Sequence, residues 1–212
     1  MTFHSKYLFF FDVETTGFDP IRNDLISLCV IVTDKELKPV ATFSDTCRPQ
    51  MNKFISDDAC KIHGFSREMM AKFQPRKQFL KKLLWFLNDF RTPDQLETLV
   101  FHALRNFDWN FLEWCFKKEE LQYSLYKMFD GNKLISTITM ARGAGYSHNG
   151  LKIWADRLCF DLKHHDADSD TECCLGVYKY LQGEMNGKIT NSVNVNDHAK
   201  KLFDDVGPRV ES

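Results

Sequence analysis

The first part of the chain alternates between apolar runs of strand length and short polar connections. Three segments, Phe9–Val13, Leu25–Val32 and Pro39–Cys47, are rich in aromatic and β-branched residues and are separated by turn-forming residues. This pattern predicts three consecutive strands. Because the connection between the second and third is short and polar, we expect them to form an antiparallel meander.

From Ser56 onward the apolar positions recur mainly at helical spacing. Ser56 and Ser66 are residues that commonly cap helices, and Phe79, Leu83 and Leu87 fall on one face of a longer helix. The predicted helices are Asp57–Ile62, a short helix that begins after Ser66, Arg76–Asp89, Asn106–Phe116, Asn149–Leu158 and Ser169–Leu181, and the predicted later strands are Leu99–Phe101 and Leu134–Ile135. This order predicts a mixed α/β domain in which about five strands are flanked by helices.

Composition divides the chain near residue 182. Residues 1–182 are predicted to form one globular domain, since 43% of the 212 residues are hydrophobic and 27% are charged. Residues 184–197 contain four Asn and few large apolar residues, so residues 183–212 are predicted to form a linker or mobile tail. The net charge of −1 argues against a protein that coats long duplexes, but it is compatible with one that grips a strand end.

Cysteine usage favours a cytoplasmic location. The seven cysteines form no CxxC pair, which argues against a zinc ribbon or a disulfide framework and favours reduced thiols. The first residues lack the pattern of a signal peptide, and the longest apolar stretch, Leu25–Val32, is too short to span a bilayer. We therefore expect a cytoplasmic protein that does not associate with membranes.

Two carboxylates at the end of the first predicted strand are the most informative polar positions. Asp12 and Glu14 are two residues apart, so on a strand both project to the same face. Two carboxylates beside a core repel each other and lose hydration, which favours a hard divalent cation between them. On these grounds alone, an ordinary solvated strand end is an equal alternative.

Three further residues can reach the same place. Asp108 follows a short strand and opens a helix, and Asp170 lies in the first turn of the last predicted helix. His165 precedes that helix and could take a proton from water near neutral pH, although its neighbour His164 offers the same chemistry. Taken singly, the two aspartates could instead stabilise helix N-termini, and His165 could be a solvated loop residue.

In combination, these segments resemble the DEDDh superfamily of 3′–5′ exonucleases, which includes polymerase proofreading subunits, RNase T and oligoribonuclease. The matching segments are Asp12–Gly17 for the first motif, Asn106–Asp108 with His102 upstream for the second, His165 with Asp170 for the His-x4-Asp motif, and Ile62-His63-Gly64 for a conserved turn. The resemblance covers about residues 7–181 and implies an RNase H-like fold. The chain departs from the family where Ala103 follows His102 and where Ser136 precedes Thr137.

The resemblance implies a two-metal hydrolase that releases nucleoside 5′-monophosphates. Asp12, Glu14, Asp108 and Asp170 would hold two Mg²⁺ or Mn²⁺ ions, with Asp12 shared by both, and His165 would be the general base. Oxygen ligands also favour these ions over Zn²⁺ or Cu²⁺. The expected substrate contacts are Thr15, Thr16, His63 and Phe107, although a core role is an equal alternative for Phe107.

The expected substrate is a single-stranded nucleic-acid 3′ end, with DNA of the proofreading or repair type placed first. An exoribonuclease of the RNase T or oligoribonuclease type is the alternative, and a non-catalytic end-binding module is a further one. The resemblance also allows a homodimer and a polymerase or sliding-clamp partner, although Lys201-Leu202-Phe203 lacks the leading Gln of a clamp peptide. A solvated helix face is favoured over phosphate contact for the basic positions Lys72, Arg76, Lys77, Lys81 and Lys82.

Overall fold

A six-stranded mixed sheet forms the centre of the protein in the part of the chain that the structure describes. The structure is a computed structural model that describes residues 6–132 and 134–185, apart from the side chain of Glu184. The strands are β1 (Leu8–Thr15), β2 (Leu25–Thr33), β3 (Pro39–Arg48), β4 (Gln74–Pro75), β5 (Thr98–Phe101) and β6 (Ile135–Ser136). Their order is β4-β3-β2-β1-β5-β6. The first three strands pair antiparallel and the others add in parallel, which confirms the predicted mixed sheet.

Helices flank the sheet. They are α1 (Asp57–His63), α2 (Arg67–Ala71), α3 (Arg76–Asp89), α4 (Phe107–Lys118), α5 (Gln122–Tyr126), α6 (Thr137–Gly143), α7 (Leu151–Leu158) and α8 (Ala167–Met185). Ser56 caps α1 and Ser66 caps α2, each accepting a hydrogen bond from a backbone N–H in the first turn, as the sequence predicts. The strand β4 and the helices α5 and α6 are too short or too rich in β-branched residues to be predicted from periodicity.

Both faces of β1 are covered, which explains its continuous apolar sequence. Phe9 and Phe11 belong to the core beneath α3 and α4, whereas Leu8 and Phe10 lie in the core against α8. The ring of Phe10 meets that of Tyr178 on α8 edge-on, with centroids 5.3 Å apart. By the alternation of strand side chains, residues 12 and 14 therefore face the side of the sheet that carries α8.

Arg76 departs from the solvated helix face predicted for the basic positions. Its side chain is only 3% exposed, and its Nη1 donates to Asp24 Oδ1 at 2.8 Å. The guanidinium also donates to Glu119 Oε1 at 3.2 Å, and Asp24 Oδ2 accepts from the N–H of Gln50. A buried guanidinium is tolerated here because it is paired, and the pair holds the start of β2 against α3 and α4.

Helix α8 continues to Met185, beyond the predicted boundary at residue 182. Residues 186–212, which include most of the predicted tail and the segment Lys201–Phe203, lie outside the described residues.

No disulfide joins the seven cysteines, all of which fall within the described ranges. Within those ranges, no helix is long and apolar enough to cross a bilayer.

Candidate active site

A cleft of about 420 Å³ opens at the end of β1, where β1, α1, α4 and the start of α8 meet. All but one of the predicted site residues line this cleft: Asp12, Glu14, Thr15, His63, Phe107, Asp108, His165 and Asp170. The structure therefore brings together segments that are separated by more than 150 positions in the sequence.

The carboxylates come from three different elements. Asp12 and Glu14 project from β1 towards α8, whose first turn carries Asp170, and oxygens of the three carboxylates lie within 4.8 Å of one another. Asp108 enters from the first turn of α4, which begins after two residues, Arg105 and Asn106, in the left-handed backbone region. Asp108 Oδ2 is buried and has no hydrogen-bond partner among the described residues.

Burial raises the pKa of every carboxyl group in this cluster. Desolvation is the largest cause, and repulsion between the carboxylates adds to it; together they raise the pKa of Glu14 to about 8. The same effects raise the pKa of Asp108 to about 7 and that of Asp170 to about 6, where hydrogen bonding by the His165 N–H opposes the rise. The pKa of Asp12 lies well above its ordinary value, because of desolvation and then repulsion by Asp108 and Asp170.

The donor set fits divalent cations. Four carboxyl groups with raised pKa values cannot all ionise near neutral pH unless positive charge compensates them. Asp108 Oδ2 is a buried oxygen without a hydrogen-bond partner among the described residues, and a cation would supply the missing interaction. Carboxylate oxygens without sulfur ligands match the preference of Mg²⁺ and Mn²⁺.

His165 is held beside the carboxylates by its own backbone. Its N–H donates to Asp170 Oδ2 at 3.1 Å, and its φ of 66° places it in the left-handed region. Its ring stacks on that of His164, with centroids 3.8 Å apart. Burial, followed by the neighbouring His164, lowers the pKa of His165, so the imidazole is neutral at neutral pH and able to accept a proton.

His102 and Ala103, where the chain departs from the second family motif, form contacts of their own. The ring nitrogens of His102 lie 2.7 Å from Thr137 Oγ1 and 2.7 Å from the carbonyl oxygen of Asn149. Burial lowers the pKa of His102 to about 4, so it is a neutral link between β5, α6 and the start of α7. Ser136, the second position at which the chain departs from the family, contacts Ala103: Ser136 Oγ donates to the carbonyl oxygen of Ala103 at 2.6 Å.

Thr16 is the predicted contact that the structure does not bring into the cleft. Its side chain is fully buried; Oγ1 donates to the carbonyl oxygen of Phe54 at 2.9 Å and accepts from the N–H of Asp24 at 2.9 Å. Its own N–H donates to the carbonyl oxygen of Asp24. With these groups occupied, Thr16 holds the loop that follows β1, whereas Thr15 lines the cleft.

Gly17 is required for the same loop to close. A Cβ atom at Gly17 would lie 2.5 Å from Asn23 Nδ2, and that amide donates to the carbonyl oxygens of Thr16 and Phe54. A side chain at position 17 would therefore displace Asn23 and loosen the loop.

Aromatic side chains form the mouth of the cleft. Phe107 is half-buried, and its ring centroid lies 6.3 Å from that of Phe18, which is 84% exposed. His63 Nδ1 accepts from the N–H of Phe65 at 3.0 Å, so the neutral ring carries its hydrogen on Nε2, which has no partner among the described residues. Sequence reasoning missed Phe18; the available signal was a large aromatic residue directly after the turn glycine.

Comparison with known proteins gives the family. The exonuclease family RNase T matches residues 9–178. The chain belongs to this family. No curated protein shows significant similarity to the chain in sequence. The match covers most of this chain, including all of the residues that line the cleft.

Solved structures of exonucleases share the fold. Escherichia coli exonuclease I in complex with a dT13 oligonucleotide superimposes with a TM-score of 0.73 at 15% identity, covering 86% of this chain and 42% of that one. Exonuclease I from Methylocaldum szegediense gives 0.69 at 21% identity, covering 86% and 41%. The nuclease domain of 3′hExo, a DEDDh family member bound to rAMP, gives 0.68 at 18% identity, covering 88% and 96%.

These similarities show that the predicted mixed α/β fold is one that exonucleases share. This protein spans about two fifths of the length of the exonuclease I chains that it matches. It spans nearly the whole of the 3′hExo nuclease domain. At sequence identities of 15–21%, the structural similarity shows a shared fold and not a shared substrate.

Proposed function

We propose that the chain is a metal-dependent 3′–5′ exonuclease, which hydrolyses the last phosphodiester bond of a nucleic-acid strand and releases a nucleoside 5′-monophosphate. One observation carries this proposal: the buried carboxyl groups of Glu14, Asp108 and Asp170 and the half-buried one of Asp12 share a cleft with the neutral imidazole of His165. Placing four carboxyl groups together costs free energy, because they lose hydration and repel one another. Bound cations would offset this cost, whereas an ordinary solvated strand end has no such compensation.

Two divalent cations, Mg²⁺ or Mn²⁺, would be held by Asp12, Glu14, Asp108 and Asp170. When bound, they would neutralise the carboxylates and supply the Lewis-acid chemistry that activates water and stabilises a leaving oxygen. The raised pKa values imply that cations and protons compete for the same oxygens, so the affinity of the site for cations should rise with pH.

His165 is the proposed general base. As water attacks the terminal phosphorus, its proton would pass to the neutral imidazole, the bond between phosphorus and the 3′ oxygen of the preceding nucleotide would break, and that oxygen would take a proton from solvent. The hydrogen bond from the His165 N–H to Asp170 fixes the base relative to the carboxylates.

The proposed substrate contacts surround the mouth of the cleft. Phe107 and the exposed Phe18 would stack on the terminal base or sugar, and His63 Nε2–H would donate to a substrate oxygen. Thr15 lines the cleft next to Glu14 and would lie near the terminal 3′-hydroxyl.

A single-stranded DNA 3′ end is the substrate we place first, and RNA is the second. Among the neighbours, exonuclease I was solved with a dT13 oligonucleotide and 3′hExo with rAMP, so both sugars occur on this fold. Competition between DNA and RNA oligomers of equal length and sequence would decide between them, since recognition of the 2′-hydroxyl depends on contacts around the sugar. The polymerase or clamp partner, the homodimer and the cytoplasmic location remain predictions.

The test is digestion of a 5′-labelled single strand in Mg²⁺. We expect a ladder that shortens from the 3′ end, stops on addition of EDTA and is absent with Asp12→Ala. Asp168→Asn is the matched control, because Asp168 lies on α8 close to Asp170 but accepts from Ser44 Oγ outside the cleft. Full activity of Asp12→Ala would contradict the proposal.

A further inference from the structure

A second groove lies beyond the mouth of the cleft. It has a volume of about 710 Å³, and we call it the Trp114 groove; its principal lining residues are Arg22, Lys53, Phe54, Trp114 and Lys118. We propose that the Trp114 groove binds the single-stranded part of the substrate upstream of the nucleotide being removed. This inference rests on the proposed function and assigns the path of the strand.

The charge of the Trp114 groove suits a polyanion. Its lining contains three cationic side chains, Arg22, Lys53 and Lys118, and no carboxylate. None of the three forms an ion pair with another described residue, whereas Lys117, next to Lys118, is paired with Glu113 at 2.9 Å. In a chain of net charge −1, this is a local concentration of positive charge.

The aromatic side chains of the groove suit nucleobases. The Nζ atoms of Lys118 and Lys53 lie over the half-buried Trp114 ring, 4.7 Å and 5.8 Å from its centre, so a base that stacks on this ring would displace a lysine from it. Phe54 is 67% exposed beside them. Aromatic rings among cationic side chains are the combination by which proteins bind single strands without reading their sequence.

The groove is built before any ligand arrives. Lys53 Nζ donates to the carbonyl oxygens of Pro20 and Ile21, which positions the ammonium group but leaves its charge intact. The carbonyl oxygen of Phe54 accepts from Thr16 Oγ1 and Asn23 Nδ2. These bonds tie the wall of the groove to the loop that follows β1, whose residues Gly17 and Phe18 line the catalytic cleft.

Helix α4 connects the groove to the cleft. Phe107 lines the cleft and Trp114 lines the groove, and the two are seven positions apart on this helix. Seven residues make about two turns, so both side chains lie on one face, separated by about 10 Å along the axis. This distance corresponds to about three stacked nucleotides at roughly 3.4 Å each. A dinucleotide would fill the cleft alone, whereas a twelve-nucleotide strand would reach Trp114.

The test compares the binding of fluorescein-labelled dT12 and dT2 in EDTA, so that no hydrolysis occurs. Trp114→Leu should weaken binding of dT12 roughly tenfold, which is within the range for loss of one stacked base, and leave dT2 unchanged. Trp85→Leu is the control, because Trp85 is 77% exposed on α3 and outside both clefts. Lys118→Gln should lower the slope of log affinity against log salt by about 0.7, as expected for one lost phosphate contact. Lys117→Gln should not change that slope.

The outcomes separate the groove from the proposed function. If Trp114→Leu and Trp85→Leu bind dT12 equally, or if Lys118→Gln keeps the wild-type salt slope, the Trp114 groove does not carry the strand. Equal losses on dT2 and dT12 would also overturn the proposal, since they would indicate damage to the cleft. Loss confined to dT12 in a protein that hydrolyses no strand in Mg²⁺ would support the groove while refuting the exonuclease activity.

Discussion

Replacing Glu14 by glutamine should stabilise the metal-free protein while removing a proposed cation ligand. Glu14 is only 7% exposed, and its pKa rises from 4.5 to about 8 through desolvation and then repulsion by Asp170 and Asp108. Between those two pH values the native state binds more protons than the unfolded state, so this group stabilises the fold at low pH and that stability is lost as pH rises through about 8. The metal-free protein should therefore become less stable from pH 5 to pH 8.5.

The size of the effect follows from the shift in pKa. One unit corresponds to about 1.4 kcal/mol, so the rise to about 8 corresponds to roughly 5 kcal/mol opposing ionisation of Glu14. The other carboxyl groups of the cleft can bind protons when Glu14 ionises, which relieves part of the repulsion and reduces the stability gained by replacing Glu14. We expect Glu14→Gln to gain about 2 kcal/mol at pH 8.5, or roughly 4–8 °C in Tm for a domain of this size, and less than about 1 kcal/mol at pH 5.

Thermal unfolding in EDTA, followed by circular dichroism at both pH values, measures this difference. Glu36→Gln is the control, since Glu36 is exposed in the turn between β2 and β3 and should change stability by less than about 0.5 kcal/mol. Saturating Mn²⁺ should reverse the order at pH 8.5, because wild type gains more from the cation. A Glu14→Gln variant that is less stable than wild type at pH 8.5, or whose gain does not depend on pH, would refute the reasoning.

Three further substitutions separate the roles of other residues. His165→Asn should lower kcat by about 10²–10⁴-fold with little change in Mn²⁺ affinity, whereas His164→Asn should have a much smaller effect; steady-state kinetics and cation titration measure both. Arg76→Met should cost about 3–5 kcal/mol in urea unfolding, because it leaves the fully buried Asp24 carboxylate without its partner, while Lys77→Met on the exposed face should be near neutral. Phe18→Ser should leave Tm unchanged, because the side chain is 84% exposed, and should raise KM for a single strand roughly tenfold.

The parts of the fold that sequence predicts well are those that depend on local periodicity. The strand β1 is predicted because buried residues on both faces produce an unbroken apolar run, and α1 and α2 are predicted because Ser56 and Ser66 cap them. Helix α6 is not predicted, because Thr137–Gly143 has weak helix propensity and forms where Ser136 caps it beside β6.

The composition of the site follows from spacing, but its side-chain roles do not. Alternation along β1 predicts that Asp12 and Glu14 share a face, and the structure adds that this is the face on which α8 presents Asp170. The burial of Thr16 and Arg76 depends on Asp24, a residue distant from Arg76 in sequence. Such pairings arise from tertiary contacts, so neither periodicity nor motif spacing contains them.

We propose that Asp12, Glu14, Asp108 and Asp170 form one centre for two divalent cations. Calorimetric titration of Mn²⁺ into metal-free wild type and Asp12→Ala at pH 8, with a nucleoside 5′-monophosphate present, tests it most directly. We predict two Mn²⁺ ions per wild-type chain and at most one, bound more weakly, in the variant. Identical isotherms for the two proteins, or no Mn²⁺ binding by wild type, would contradict the claim.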